Sequence, residues 1–162
     1  MQTHVDGELV RLYFKEGQMV RAGDLLALID PRPYEVQLTQ ADGQMARDRA
    51  LLVNARAKLV QYKELFAQNI IAKQDLDNQE SLAGQYVGTV MIDQALIDGA
   101  KLNLVYCRIT SPITGRVVSA LVESGNNVHA LDTQGLLVIT QLQPIMVIFN
   151  MPEDDFQRTP WS

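Results

Sequence analysis

The side chains that could do acid–base, nucleophilic or metal chemistry are few and far apart in this sequence. His4 and His129 are the only histidines, and neither has a second ligand at the spacing typical of a metal site. Cys107 is the only cysteine, which excludes an intrachain disulfide, and its apolar neighbours predict a buried strand thiol. We interpret the acidic run at 153–155 as solvated surface. The sequence therefore predicts no catalytic residue, no cofactor and no metal site.

Length, hydrophobic content and net charge limit the kinds of protein that this chain can be. The chain has 162 residues, 47% of them hydrophobic, and a net charge of −5, which is ordinary for one domain or two small ones and argues against a nucleic-acid partner. No apolar run approaches the roughly 18–20 residues that span a bilayer. The first residues have neither a basic nor an apolar signal region, so we expect no signal peptide in this chain.

A duplicated unit surrounds the middle of the chain. Val5–Ile29 aligns with Ile113–Leu137, 108 positions later, and seven positions are identical, which indicates an internal repeat. The identical pairs are Gly7/Gly115, Val10/Val118, Gly17/Gly125, Val20/Val128, Ala22/Ala130, Asp24/Asp132 and Leu28/Leu136.

Each copy of the repeat carries β signals. Apolar and charged residues alternate from Val10 onwards, and a glycine turn then leads into a second apolar run, Leu25–Ile29 or Leu136–Ile139. Each half is therefore predicted to be a strand–turn–strand module. We expect Val10 and Val118 to lie in one shared core, so that the two halves close into one β domain.

Four repeat glycines are predicted to form the structural turns of these halves: Gly7, Gly17, Gly115 and Gly125. Gly17 and Gly125 lie where such turns often need a positive φ, which glycine adopts at little cost.

The middle segment has the seven-residue periodicity of an antiparallel coiled-coil hairpin. The first helix is predicted to start just after residues 31–33, and 68–73 is too short for anything but a tight reversal. Some thirty residues in each arm make a rod of about 45–50 Å. Only Asp48 interrupts the first apolar stripe. The alternative to a projecting hairpin is a pair of core helices in a bundle. The stripes are Leu38, Ala41, Met45, Leu52, Ala55, Leu59, Tyr62 and Phe66, then Leu76, Ala83, Tyr86, Val90, Ile97, Ala100 and Leu104.

Taken together, these features resemble a known family. The motifs are V-D-G-E-L at Val5–Leu9, E-G-Q-M-V-R-A-G-D-L-L at Glu16–Leu26, R-I-T-S-P-I-T-G-R-V at Arg108–Val117 and V-I-T-Q-L-Q-P-I at Val138–Ile145. Over nearly its whole length the chain is similar to the periplasmic adaptors, or HlyD-like membrane fusion proteins, of RND-type multidrug efflux pumps.

The resemblance implies an α+β fold with three parts. Residues 1–33 and 105–140 would form a split lipoyl-like domain, and residues 34–104 the helical hairpin. Residues 141–162 would begin a truncated β-barrel domain, with 143–151 as its first strand.

The resemblance also implies a function. The family links an inner-membrane RND transporter to a TolC-type outer-membrane channel and self-associates into a ring, expected to be a hexamer. The full-length protein would be periplasmic and associated with the inner membrane of a Gram-negative bacterium.

The hairpin tip is the contact that the family uses for its channel. Family tips carry an Arg, a Leu four residues on and a Ser seven further, and these positions fall here on Gln61, Leu65 and Ala72, so that only the leucine is kept. Plain hairpin packing or a local cap is the alternative role for the apolar residues nearby. The implied channel contact comprises Gln61, Leu65, Phe66, Ile70, Ile71 and Ala72.

Two rival functions share parts of this pattern. A lipoyl or biotinyl carrier domain presents a modifiable lysine at the turn between its halves, but residues 29–33 contain no lysine. An adaptor of an ABC-type or type I secretion exporter shares the hairpin, although the stretch Gly135–Ile148 favours the RND branch.

Overall fold

Three strands precede two long helices and four strands follow them, so the helices lie between the two halves of the repeat. The computed structural model describes residues 2–130 and 135–141, and within them the predicted α+β class is confirmed. The predicted barrel strand at 143–151 and the acidic run at 153–155 lie outside the described residues. The elements are β1 Gly7–Leu12, β2 Met19–Val20, β3 Leu25–Ile29, α1 Arg32–Ala67, α2 Lys73–Tyr106, β4 Arg108–Thr110, β5 Gly115–Ala120, β6 Asn127–Val128 and β7 Leu137–Thr140.

Two antiparallel sheets combine strands from both halves of the repeat. One sheet has the order β4-β3-β1-β6 and the other has the order β2-β5-β7. The first half therefore lends β2 to the sheet of the second half, and the second half lends β6 to the sheet of the first. Because each half completes the other's sheet, neither half has all its strand partners without the other.

The cores repeat this exchange of strands. Leu26 of β3 packs with Val20, Val117 and Leu137 in one cluster, while Leu136 of the second half joins the other cluster. That cluster contains Val5, Leu9, Ala27, Ile29, Cys107, Ile109, Val128 and Leu136.

Val10 and Val118 do not lie in a shared core, so that expectation is wrong. They are 48% and 54% exposed, whereas the preceding residues, Leu9 and Val117, are fully buried. The cause is a register shift at each site, between β1 and β3 at residue 10 and between β5 and β7 at residue 118. A bulge breaks the strict alternation of faces, so the residue at the shift turns outward.

The last strand of the repeat is offset by two residues from the alignment. Arg11 pairs with Leu28 in the first half, and Ser119 pairs with Val138 in the second. The structural equivalent of Leu28 is therefore Val138 and not Leu136. Two additional residues between β6 and β7 account for the shift.

Only two of the four repeat glycines occupy turns. Gly17 and Gly125 have φ values of +80° and +91°, in the left-handed region that favours glycine. Gly7 and Gly115 are instead the first residues of β1 and β5, so the prediction of turns there is wrong. A Cβ at Gly115 would lie 2.5 Å from the carbonyl oxygen of Thr140, and one at Gly7 would lie 2.7 Å from Ile29 Cγ2. Close approach of neighbouring groups requires glycine at both positions.

The hairpin is slightly longer than predicted. Helix α1 has 36 residues and begins at Arg32, and α2 has 34 residues and ends at Tyr106, so each spans roughly 50 Å. A proline in the first turn costs no hydrogen bond, because that amide has no partner within the helix. The Asp30 carboxylate accepts hydrogen bonds from the Arg32 amide at 3.0 Å and from its guanidinium at 2.6 Å. These contacts fix the start of α1 before residue 34.

The seam between the helices is less uniformly apolar than the sequence indicates. Gln79 and Asp93 also lie in it, three residues after Leu76 and Val90, and Gln79 Nε2 donates a 3.0 Å hydrogen bond to the Ala55 carbonyl. All buried helix residues occupy heptad seam positions. They are Ala41, Met45, Asp48, Leu52 and Ala55 on α1 and Gln79, Ala83, Asp93, Ile97 and Ala100 on α2.

Candidate docking site at the hairpin tip

The histidines and the cysteine, which are the side chains that could do chemistry, each contact neighbouring residues. The His4 ring packs on Tyr106 with centroids 4.7 Å apart, and His129 Nδ1 lies 3.8 Å from Asp6 Oδ1. Cys107 is buried as predicted, but it is the C-cap residue that follows α2 and does not lie in a strand. Burial raises the pKa of its thiol. Across residues 2–130 and 135–141, no three His, Cys, Asp or Glu side chains group as metal ligands.

The end of α1 is closed by a Schellman motif. Asn69 adopts a left-handed φ of +56°, its amide donates to Phe66 O at 2.9 Å, and the Ile70 amide donates to Leu65 O at 3.0 Å. These are the two hydrogen bonds that define the motif, which is often accompanied by an apolar contact between the residues at the positions of Ile70 and Leu65. The reversal is therefore a defined turn that fixes where the tip side chains lie.

Several apolar side chains are exposed at this turn. Ile70 is 63% exposed and Phe66 is 38% exposed, while Leu65 and Ile71 are partly buried. Apolar surface at the far end of a rod is typical of a contact site. The structure thus brings the six predicted tip residues to one end of the hairpin, with Gln61 and Ala72 also exposed.

The start of α2 lacks a side-chain cap. Ala72 occupies the N-cap position with extended backbone and makes no side-chain hydrogen bond. The Asp75 amide donates to the Ala72 carbonyl at 3.1 Å, and its carboxylate lies in the first turn, where the helix dipole favours negative charge. The hydroxyl oxygen of a serine at position 72 would accept a hydrogen bond from a backbone amide of the first turn, which an alanine cannot do.

A second apolar surface runs along α2, and the sequence reading missed it. On a helix with 3.6 residues per turn, this stripe lies opposite the seam residues Ala83 and Ile97. Its large members are 48–69% exposed, and a Cβ added at its three glycines would meet nothing within 4 Å. We name it the α2 outer face: Gly84, Gly88, Met91, Ile92, Leu96, Gly99 and Leu102. The four-residue spacing of Gly84, Gly88, Ile92 and Leu96 was the signal in the sequence.

Across residues 2–130 and 135–141, neither long helix is apolar enough to cross a bilayer.

A protein-family model matches most of the chain. It is the model described as RND MFP, barrel-sandwich hybrid domain, and it covers residues 1–140. The match therefore includes both halves of the repeat and the whole hairpin.

Curated relatives with high identity share the same name. Multidrug resistance protein MdtA of Yersinia pestis (strain Pestoides F) is 54% identical over 153 residues, which are 94% of this chain and 34% of that protein. MdtA of Yersinia enterocolitica (strain NCTC 13174 / 8081) is 52% identical over the same shares. The chain spans about a third of the length of the curated relatives that it matches.

Solved structures agree on the fold. ZneB from Cupriavidus metallidurans is 27% identical with a TM-score of 0.60, over 88% of this chain and 60% of that one. The membrane fusion protein Spr0693 from Streptococcus pneumoniae R6 has a TM-score of 0.61 at 17% identity, over 85% of this chain and 55% of that one. At 17% identity the likeness concerns the fold alone.

Proposed function

The chain belongs to the RND membrane fusion protein family, and from this membership we propose that it is part of a periplasmic adaptor for multidrug efflux. The adaptor links an inner-membrane RND transporter to a TolC-type outer-membrane channel. The 54% identity to a multidrug resistance protein supports this function. The observation that carries it is the hairpin of about 50 Å with exposed apolar side chains at its end.

We propose that the two parts of the chain have different roles, and the exchange of strands between the halves of the repeat supports this. Residues 1–33 and 105–140 form a lipoyl-like base that holds both ends of the hairpin, and residues 34–104 form the arm. The adaptor does no chemistry of its own. It lies in the periplasm, attached to the inner membrane, where it couples the transporter to the channel and seals the connection between them.

We propose that the tip docks to the channel through its apolar residues. The arginine and serine positions of the family motif are Gln61 and Ala72 here, so the tip lacks both the charged donor and the capping hydroxyl. Leu65, Phe66, Ile70 and Ile71 remain, and Ile70 is the most exposed apolar side chain of the four. Burying these side chains against the channel would supply the binding energy.

The α2 outer face supports the proposed self-association. Met91, Ile92 and Leu96 are 69%, 64% and 56% exposed, and the glycines beside them let another helix approach closely. In a ring of adaptors, the α2 outer face of each hairpin would be covered by the hairpin of the next copy.

Drug resistance in cells tests the proposal. The full-length protein is expressed with its transporter and a TolC-type channel in a drug-sensitive strain that lacks the native adaptor. We expect minimum inhibitory concentrations to rise several-fold with all three components and not with any two. Ile70→Asp combined with Ile71→Asp should abolish the rise while expression and transporter binding persist. Resistance that needs an ABC transporter instead of the RND transporter would favour the other adaptor class.

A further inference from the structure

Two aspartates face each other in the middle of the hairpin seam. Asp48 of α1 is 2% exposed and Asp93 of α2 is 3% exposed, and the two carboxyl groups are close enough for each to shift the pKa of the other. Asp48 is 16 residues from the start of α1, which places the pair roughly 24 Å along an arm of about 50 Å. A hydrogen bond between two carboxyl groups needs a proton, because ionised carboxylates only accept.

The partners of the two carboxyl groups are unequal. Asp48 Oδ1 accepts a 2.8 Å hydrogen bond from Arg47 Nε, and its Oδ2 accepts from Arg47 Nη2 at 3.2 Å and from Gln44 Nε2 at 3.1 Å. Asp93 Oδ2 is buried and has no hydrogen-bond partner among the described residues. The pair thus has one cation for two acids, and that cation is bound to Asp48.

This asymmetry assigns the proton to Asp93. The hydrogen bonds from Arg47 hold the pKa of Asp48 below its usual value, while burial and the neighbouring Asp48 raise the pKa of Asp93. The charged groups that act on Asp93 are Asp48 and Arg47, both on α1. A buried acid without a cation keeps its proton to a higher pH than one with a cation.

We propose that Asp48 and Asp93 form a proton-operated lock, closed by one shared proton, that holds the middle of the hairpin together in mildly acidic conditions and loosens it when Asp93 ionises. In the closed state Asp93 donates its proton to the Asp48 carboxylate. In the open state two negative charges share a buried seam with one arginine, and their repulsion favours separation of the helices.

The direction of the pH dependence follows from the two pKa shifts. Asp93 has a raised pKa in the folded chain, so its contribution to stability is present at low pH and is lost as pH rises through that raised value. Asp48 has a lowered pKa, so its contribution is lost only as pH falls through the lowered value. The seam is therefore most stable between these two values. In an acidified periplasm the arm would stiffen; this consequence, unlike the lock itself, rests on the proposed function.

Hydrogen exchange of the full chain measures the opening of the seam. The exchange of amides in residues 41–55 and 90–100 is followed from pH 5 to pH 7.5 and corrected for the intrinsic pH dependence of exchange. Across this range, protection in the wild type should fall by about tenfold for each unit by which the pKa of Asp93 exceeds the starting pH. Asp93→Asn keeps a donor to Asp48 but does not titrate, so its protection should be independent of pH.

A matched variant and a direct titration complete the experiment. Asp98→Asn makes the same charge change at an exposed position of α2, and it should keep the wild-type pH dependence. The carboxyl carbon of Asp93, followed by NMR in the wild type, should titrate above the usual value of about 3.9; this titration decides the matter even if Asp93→Asn does not fold. Equal pH profiles for wild type and Asp93→Asn, or an Asp93 carboxyl that titrates at or below its usual value, would overturn the proposal.

Discussion

The amide of Gly17 donates a 2.8 Å hydrogen bond to the carbonyl oxygen of Val117, a residue on the other side of the hairpin in sequence. The equivalent bond in the other half joins the Gly125 amide to the Leu9 carbonyl at 2.7 Å. Each glycine turn thereby holds the central strand of the opposite half at its fully buried residue. These reciprocal contacts join the two halves of the β region directly, and the helices add only Tyr34 and Tyr106 at the edge of its larger cluster.

Removal of the hairpin should therefore leave the β region folded. The Ile29 amide donates to the Cys107 carbonyl at 2.9 Å, so a short Gly/Ser linker can join residue 30 to residue 107. We expect strand-type circular dichroism and dispersed amide NMR signals from this variant. A fragment of residues 2–30 is the control and should be unfolded, because it keeps only the pairing of β1 with β3 and lacks β4, β5 and β6. An unfolded hairpin-free variant would show that the helices are required for the β core.

Adjacent residues of α1 should respond very differently to aspartate. Leu52 lies in the seam at 8% exposure, whereas Val53 is 68% exposed. Leu52→Asp should cost about 3 kcal/mol or more of hairpin stability, and Val53→Asp about 0.5 kcal/mol or less. Limited proteolysis measures cleavage between residues 34 and 104. Equal protection of the two variants would contradict the burial of Leu52 in the seam. Loss of the strand signal in Leu52→Asp would show that the hairpin and the β region unfold as a single cooperative unit.

Alanine should have opposite effects at two glycines. The Cβ of Gly115→Ala would lie 2.5 Å from the backbone oxygen of Thr140, which cannot move without disturbing the β5–β7 pairing, so a loss of about 1–3 kcal/mol is expected. Gly43 is in α1, and nothing lies within 4 Å of an added Cβ. Gly43→Ala should therefore gain about 1 kcal/mol. Urea unfolding followed separately by strand and helix signals measures both changes, and the same sign for both would count against the model of the β domain.

A serine at the start of α2 should stabilise the hairpin. Ala72 is an N-cap without a side-chain hydrogen bond, so Ala72→Ser should raise the free energy of unfolding by about 1 kcal/mol. Ala72→Val is the control, since it adds volume but no acceptor and should give no gain. In the full-length protein, Gln61→Arg with Ala72→Ser should maintain or raise drug resistance, because the added groups cap the helix and donate charge-assisted hydrogen bonds. A fall in resistance would mean that this tip docks differently from the family's motif.

Sequence periodicity was sufficient for the long elements but not for the short strands or for the faces of the strands. The repeat and the heptads predict β1, β3, β5, β7 and both helices within a few residues, but not β2, β4 and β6. The alternation placed Val10 in the core, yet a register shift buries Leu9 instead. Bulges are set by pairing between strands, so a single strand's sequence does not reveal them.

The tip could be located from the sequence, but its local structure could not. The short reversal between two heptad stripes predicts where the rod ends. The left-handed Asn69 and its hydrogen-bonded turn depend on backbone geometry. Asp93 and Gln79 escaped notice because an apolar pattern gives no weight to polar residues at seam positions. The spacing from Val90 to Asp93 was the available signal.

Site-specific photocross-linking tests the docking of the tip to the channel most directly. A photoreactive amino acid replaces Ile70 at the tip or, as a control, Val36 near the base of α1; these residues are 63% and 66% exposed. Full-length variants are irradiated in cells that contain the transporter and a TolC-type channel. The proposed function predicts a covalent adduct with the channel from position 70 and none from position 36. No adduct from position 70, or equal adducts from both positions, in cells that retain drug resistance would contradict docking through the tip.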